Sequence, residues 1–320
     1  MTTDLALDVR GVRKRFGDVQ AVDGLDLSVN AGEVHGLVGA NGAGKTTLLR
    51  ILFGLVALDG GTVRLLGHEI DDPDARSPDG VGGFVEEPRF YPYLTARRNL
   101  ELMADLDGGG QERIDEVLAT VRLDDRADRK VAGFSSGMRQ RLGLASSLLR
   151  RPRILLLDEP TIGLDPVGAR DMLSIVRTLA AGGVTVVLSS HNMSELEGVC
   201  DGVTVMRDGR AVWQGSMDRL REESPAPAHR LETSDDIRAA ELAAEDPRLD
   251  VVVDPGGWLT VTADRDALDA YAVSLGKAGI AVRRLELLMT ALESMFFSLT
   301  GERVEQPAVE REPDEVSAAG

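Results

Sequence analysis

Cysteine is nearly absent. Cys200 stands alone in 320 residues, which excludes an internal disulfide and any metal site built from several thiolates. Long apolar runs are missing too: those such as Ile154–Leu157 span a handful of residues, where a membrane-crossing helix needs about 18. Positive charge is scarce, with 36 Lys and Arg against 53 Asp and Glu, a net of -17. So acidic a surface repels phosphate backbones and anionic headgroups, which argues against general nucleic-acid binding and direct lipid insertion. Met1-Thr2-Thr3-Asp4 carries no basic residue and opens no apolar core, so no signal peptide and a cytoplasmic chain are expected.

What is present is an ordinary globular composition, 43% hydrophobic, over a length suited to about two domains. Up to about Leu220, short strand-like runs alternate with amphipathic stretches, the pattern of an α/β domain. Leu5–Val9, Leu25–Val29, Val34–Val38, Ile154–Leu157 and Val184–Leu188 read as strands. The continuous apolar runs among them suit parallel strands buried on both faces. Val203–Met206 and Ala211–Gln214 form a hairpin through Asp208-Gly209. From 88 to 150 the pattern turns helical, with helices expected over Thr95–Leu106, Gln111–Val121 and Ser136–Arg150. The expected division is therefore an α/β domain over 1–222 with a helical insert, a linker at 223–228, and a small α+β domain over 229–301. A Glu-, Pro- and Ala-rich tail, 302–320, is expected to be disordered.

Two motifs carry chemistry. Gly39-Ala40-Asn41-Gly42-Ala43-Gly44-Lys45-Thr46 follows a strand and opens a helix, the setting of a phosphate-binding loop. Its glycines let backbone N–H groups turn toward β- and γ-phosphates, aided by the helix dipole. Lys45 adds a mobile charge, and the Thr46 hydroxyl is a ligand for Mg²⁺. Further along, the strand Ile154–Leu157 delivers Asp158 to the same metal and places Glu159 to polarise a water.

With Phe134-Ser135-Ser136-Gly137-Met138 about 20 residues before Asp158, the chain resembles the nucleotide-binding subunit of an ATP-binding-cassette transporter. That segment is similar to the family signature Leu-Ser-Gly-Gly-Gln; Ser135 and Gly137 fit it, whereas Phe134, Ser136 and Met138 depart. The resemblance implies a P-loop ATPase that binds ATP and Mg²⁺, with Glu159, His191 and Lys45 as the catalytic set. It places ATP against Phe16, Gly39, Asn41, Gly42, Ala43, Gly44, Lys45, Thr46 and Thr47, and against Ser135, Gly137 and Asp165 of a second subunit. It also implies a separate transmembrane permease that holds the chain at the inner face of the membrane. Glu86, where most of the family has Gln, joins Thr46 and Asp158 as an expected Mg²⁺ ligand. Glu86-Glu87-Pro88, followed by Phe90-Tyr91-Pro92, resembles exporters of the bacitracin and lantibiotic self-resistance type. Phe90 and Tyr91 are then expected in the groove that receives a short permease helix. Residues 229–300 resemble the C-terminal extension of ABC-2-type drug-export ATPases, down to the ending Ala291–Gly301.

Two other readings fit less well. A soluble ATPase of DNA repair or iron–sulfur assembly would carry a long coiled-coil insert and tolerate DNA. A non-hydrolysing regulator would lack a catalytic residue, and Glu159 and His191 are both present.

Overall fold

A computed structural model describes residues 5–70 and 79–300; the expected tail, 302–320, lies outside the described residues. Strands β1 (Leu5–Phe16) and β2 (Val19–Asn30) form an antiparallel hairpin longer than its apolar runs suggest. The added length, including Arg13, Arg15 and Gln20, lacks apolar alternation, so only the pairing reveals it. Strand β3 (Val34–Val38) is wholly buried and leads through Gly39 into helix α1 (Lys45–Leu52). Strands β4 (Gly60–Leu65) and β5 (His68–Glu69) return to the hairpin, giving a first sheet ordered β2-β1-β4-β5.

Strand β6 (Val81–Phe84) begins at the edge of a second sheet. Helices α2 (Ala96–Asp107), α3 (Ile114–Thr120) and α4 (Ser136–Leu148) follow, within the insert expected over 88–150. Then come β7 (Ile154–Leu157), α5 (Pro166–Ala181), β8 (Thr185–Ser190), α6 (Met193–Glu197), β9 (Gly202–Arg207), β10 (Arg210–Ser216) and α7 (Met217–Glu223). The sheet order is β10-β9-β3-β8-β7-β6, parallel except for β10. Strand β7 shows why its run is apolar throughout. Ile154 and Leu156 enter the core shared with α1 and the first sheet, while Leu155 and Leu157 enter the core beneath the helical insert.

Beyond the short connection 224–227, strands β11 (Ala228–Thr233), β12 (Asp250–Val253), β13 (Leu259–Thr262) and β14 (Val282–Leu287) form an antiparallel sheet ordered β12-β13-β11-β14. Helices α8 (Asp236–Ala243) and α9 (Arg265–Lys277) cover one face, and Leu231, Leu259 and Val261 meet Ala239, Tyr271 and Leu275 there. The unit expected over 229–301 does not close on itself, however. Helix α10 (Ala291–Thr300) leaves it, and Leu292, Met295 and Phe296 are buried in the core of the first domain near α6 and α7. Thr290 and Glu293 start that helix with a reciprocal cap, each side chain accepting from the other's backbone N–H. The reason is burial: α10 is too apolar to lie on the surface of so small a domain.

Candidate active site

The loop after β3 is held by close backbone approach. A Cβ on Gly39 would stand 2.5 Å from Met206 O, and one on Gly44, at φ 102, 2.4 Å from Ala21 O. Any side chain at either place would push the loop off β9 or β2, so glycine is required there. Lys45 Nζ donates to Gly39 O at 2.6 Å and Ala40 O at 3.3 Å, inside the curl of the loop. Burial lowers the Lys45 pKa, and the negative charges of Glu159 and Asp158 oppose that shift. Glu159 Oε1 lies 3.8 Å from Nζ.

Asp158 is buried at the end of β7. Its Oδ1 accepts from Ser189 Oγ at 2.7 Å and from Thr46 Oγ1 at 3.2 Å. Thr46 and Asp158 thus bring two hard oxygens together from different motifs. That fits Mg²⁺, which takes one or two protein oxygens and completes its shell with phosphate and water. Among the described residues no group of three or more His, Cys, Asp or Glu could hold a metal, so the shell here would need phosphate oxygens.

Glu159 has φ 47, in the left-handed region, where a residue with a Cβ is strained by about 1 kcal/mol. Two contacts offset this. Its N–H donates to Ser189 Oγ at 2.9 Å, and its Oε2 lies 2.8 Å from His191 Nδ1. Ser189 therefore positions both acids at once, a role not apparent from the sequence; its place two residues before His191 on an apolar strand was the available signal.

These groups open on a groove of about 610 Å³ lined by Asn41 to Thr47, Glu159 and His191, with Val19, Gln20 and Ala21 as a further wall. Phe16, Ser135, Gly137 and Asp165 do not line it. Phe16 is exposed beneath Lys14 Nζ, 5.3 Å from its ring centre. Ser135 caps α4 by accepting from Met138 N–H, and Asp165 caps α5 by accepting from Gly168 N–H. The departure at Phe134 has a packing reason, since its ring is buried in the core below.

Glu86 lines a neighbouring depression of about 460 Å³ together with Asp158 and Glu159. Its carboxylate is bonded to Arg50, and among the described residues no hydrogen bond or ion pair joins it to Thr46 or Asp158. Just beyond it, Pro88 packs against Gly143 of α4 so closely that a Cβ there would stand 2.3 Å from Pro88 Cγ. The loop carrying Glu86 is thereby wedged onto the helix that Ser135 caps. Asn99, 1% exposed, fixes the rest of the loop by accepting from Tyr91 N–H and donating to Tyr91 O. Of the two aromatics expected in a docking groove, Tyr91 is 50% exposed, whereas Phe90 is half-buried against the core. The second exposed ring is Tyr93, 5.7 Å from that of Tyr91.

A phosphate loop, a strand-end acid pair and a helical insert between them define the class, a P-loop ATPase. The family described as ABC transporter matches residues 22–162. The chain is 36% identical over 314 residues to the daunorubicin resistance ATP-binding protein DrrA3 of Streptomyces coeruleorubidus, covering 95% of this chain and 99% of that protein. It is 34% identical over 303 residues to the bacitracin transport ATP-binding protein BcrA of Bacillus licheniformis, covering 94% and 96%. Among solved structures it is similar to cbiO1 of Clostridium perfringens, part of an ABC transporter complex. The TM-score there is 0.62 at 25% identity, covering 69% of this chain and 92% of that one. The chain belongs to the ABC transporter family, as one of its ATP-binding subunits.

Proposed function

We propose that this subunit hydrolyses Mg²⁺-ATP to power a separate ABC-2-type permease that exports a drug, antibiotic or peptide. The observation that carries the reading is the convergence of Lys45, Thr46, Glu159 and His191 on one groove, with Asp158 bonded to Thr46 beside it, in a chain whose near-full-length relatives are resistance and transport subunits. The loop Gly39–Gly44 and Lys45 would bind the β- and γ-phosphates. Mg²⁺, held through Thr46 and Asp158, would supply charge neutralisation at the phosphates. Glu159, already oriented by His191 and by Ser189, would accept a proton from the attacking water. Such catalysis is mostly placement and electrostatics.

Ser135, Gly137 and Asp165 lie outside their own chain's groove. That supports a role across an interface, where two copies would enclose two ATP molecules. No helix among the described residues is long and apolar enough to cross a membrane. Attachment at the inner face would therefore run through the permease, with Tyr91 and Tyr93 in the docking loop. Survival of drug-challenged cells carrying the permease with either wild type or Lys45→Ala tests the reading. Equal survival, with phosphate release abolished in the purified variant, would refute coupling to export.

A further inference from the structure

The C-terminal sheet ends in an open edge. Strand β14 pairs with β11 on one side and with no strand on the other among the described residues. All six of its residues are exposed, Leu285 at 43% and Leu287 at 52%. Leu288 N–H donates to Ala228 O at 2.9 Å, which makes 228 and 288 a hydrogen-bonded pair. Antiparallel alternation then turns the backbone groups of Arg284 and Glu286 toward β11, and those of Leu285 and Leu287 toward the open side. Proteins shield such edges with charged side chains, a bulge or a cover, or pair them, and the charges here, Arg283, Arg284 and Glu286, include both signs, so they can also attract a matching edge. The one bulge here falls at the start of the strand, between Val282 and Arg284.

We propose that this edge pairs with the same edge of a second copy of the chain, around a two-fold axis through Leu285, to give one continuous eight-stranded sheet. Charge selects that register. A two-fold axis perpendicular to the sheet keeps each face continuous, so the axis must pass through a residue. At Leu285, Arg284 stands opposite Glu286 of the other copy, twice, and Leu285 opposes itself. At Arg283 or Arg284 two arginines would face each other, and at Glu286 two glutamates, all destabilising. At Leu287, Glu286 would meet Leu288 and no opposite charges would pair. Only the Leu285 register is self-complementary. Arg284 Nε and Glu286 Oε1 already sit 2.8 Å apart within the strand, so pairing would join four charges into one ladder on the outer face. No residue of β14 lines the phosphate groove and the contact needs no nucleotide, so it stands apart from ATP-dependent pairing of the two cassettes.

Cysteine scanning of the full chain, without nucleotide, tests it. Cys200 is buried, and burial raises its thiol pKa, so an added thiol is the reactive one. Under mild oxidation Leu285→Cys should give a disulfide-linked dimer, since opposed hydrogen-bonded residues lie about 5.5 Å apart. Leu287→Cys should stay monomeric, its mate being about 14 Å away along the strands. Cross-linking of both variants, or of neither, overturns the proposal.

Charge reversal gives a second arm. By sedimentation equilibrium R284E and E286R should each self-associate about tenfold more weakly. Their equimolar mixture should recover the dimer, because every crossing pair is then of opposite charge although neither chain regains its own Arg284–Glu286 pair. A mixture that stays monomeric while both variants melt like wild type also overturns it.

Discussion

His191 Nδ1 stands 2.8 Å from Glu159 Oε2, joining the residues that follow two adjacent parallel strands, β7 and β8. An ionised carboxylate can only accept, so the ring nitrogen carries the hydrogen and the pair has a defined polarity. The link matters because Glu159 sits in a strained backbone conformation, at φ 47, which this contact helps to hold. Asp158 bonds Thr46 and Glu159 bonds His191, so the two acids take different partners although they are neighbours in sequence.

Glu159→Gln should retain ATP binding and lose turnover by about 10²- to 10⁴-fold. The substitution spares the phosphate loop and removes only the proton acceptor. ATP-bound dimer should then accumulate, visible by gel filtration. Turnover within a few-fold of wild type would remove Glu159 from the proton-transfer role.

Ser189→Ala tests the residue that serves both acids. It leaves Asp158 without one donor and Glu159 N–H without its acceptor. A cost of about 1–3 kcal/mol in stability is expected for an unpaired buried group. A fall in kcat should accompany it, larger than any rise in KM for ATP, because the phosphate contacts are untouched. A KM effect alone would assign Ser189 to binding.

Tyr91 and Tyr93 should be needed for permease docking and not for ATP. Alanine at both should weaken pull-down of the permease while leaving nucleotide affinity of the isolated subunit unchanged, because exposed aromatics anchor interfaces. Phe90→Ala should instead lower thermal stability, as its ring packs into the core. Unchanged pull-down by the Tyr91, Tyr93 double variant rejects the assignment.

Much of this was legible in the sequence, for definite reasons. The runs at β3 and β7 announce themselves because strands covered on both faces have no polar alternation, and α4, expected over Ser136–Arg150, because its apolar residues recur three or four apart. Lys45, Thr46, Asp158, Glu159 and His191 were readable because each follows a strand within a recognisable motif. What could not be read depends on contacts between distant residues. The Arg50–Glu86 pair spans 36 positions. Ser189 looks like any polar strand end until β7 lies beside it. Helix α10 sits beyond the small domain in sequence and returns to the first core, which no local pattern reveals.

The Arg50–Glu86 pair sets a prediction about the metal. If Glu86 reaches Mg²⁺ during turnover, it must first leave Arg50. Arg50→Ala should then lower the Mg²⁺ concentration that half-saturates the ATPase, and Glu86→Gln should raise it. If Glu86 stays with Arg50 throughout, the two Mg²⁺ titrations should superimpose on wild type.

A last prediction concerns the opposite end of β3. His35 is buried, with Nδ1 2.7 Å from Glu33 Oε1 and Nε2 2.8 Å from Thr204 Oγ1. Burial works against the Glu33 carboxylate. Hydrogen bonding and charge from His35, with the N–H groups of Asn30, more than offset it and hold the Glu33 pKa below the usual value. A carboxyl with a depressed folded pKa stabilises the fold above its unfolded pKa, near 4.3, and loses that contribution as pH falls through the folded value. Glu33→Gln should therefore lower stability by about 1–2 kcal/mol at neutral pH. The gap to wild type should shrink steadily below about pH 4.3, because protonated Glu33 and Gln then present nearly the same group. Urea midpoints of both proteins across pH 3 to 8 measure this directly. A gap that stays constant over that range would mean that shape at position 33, and not its charge, supports His35.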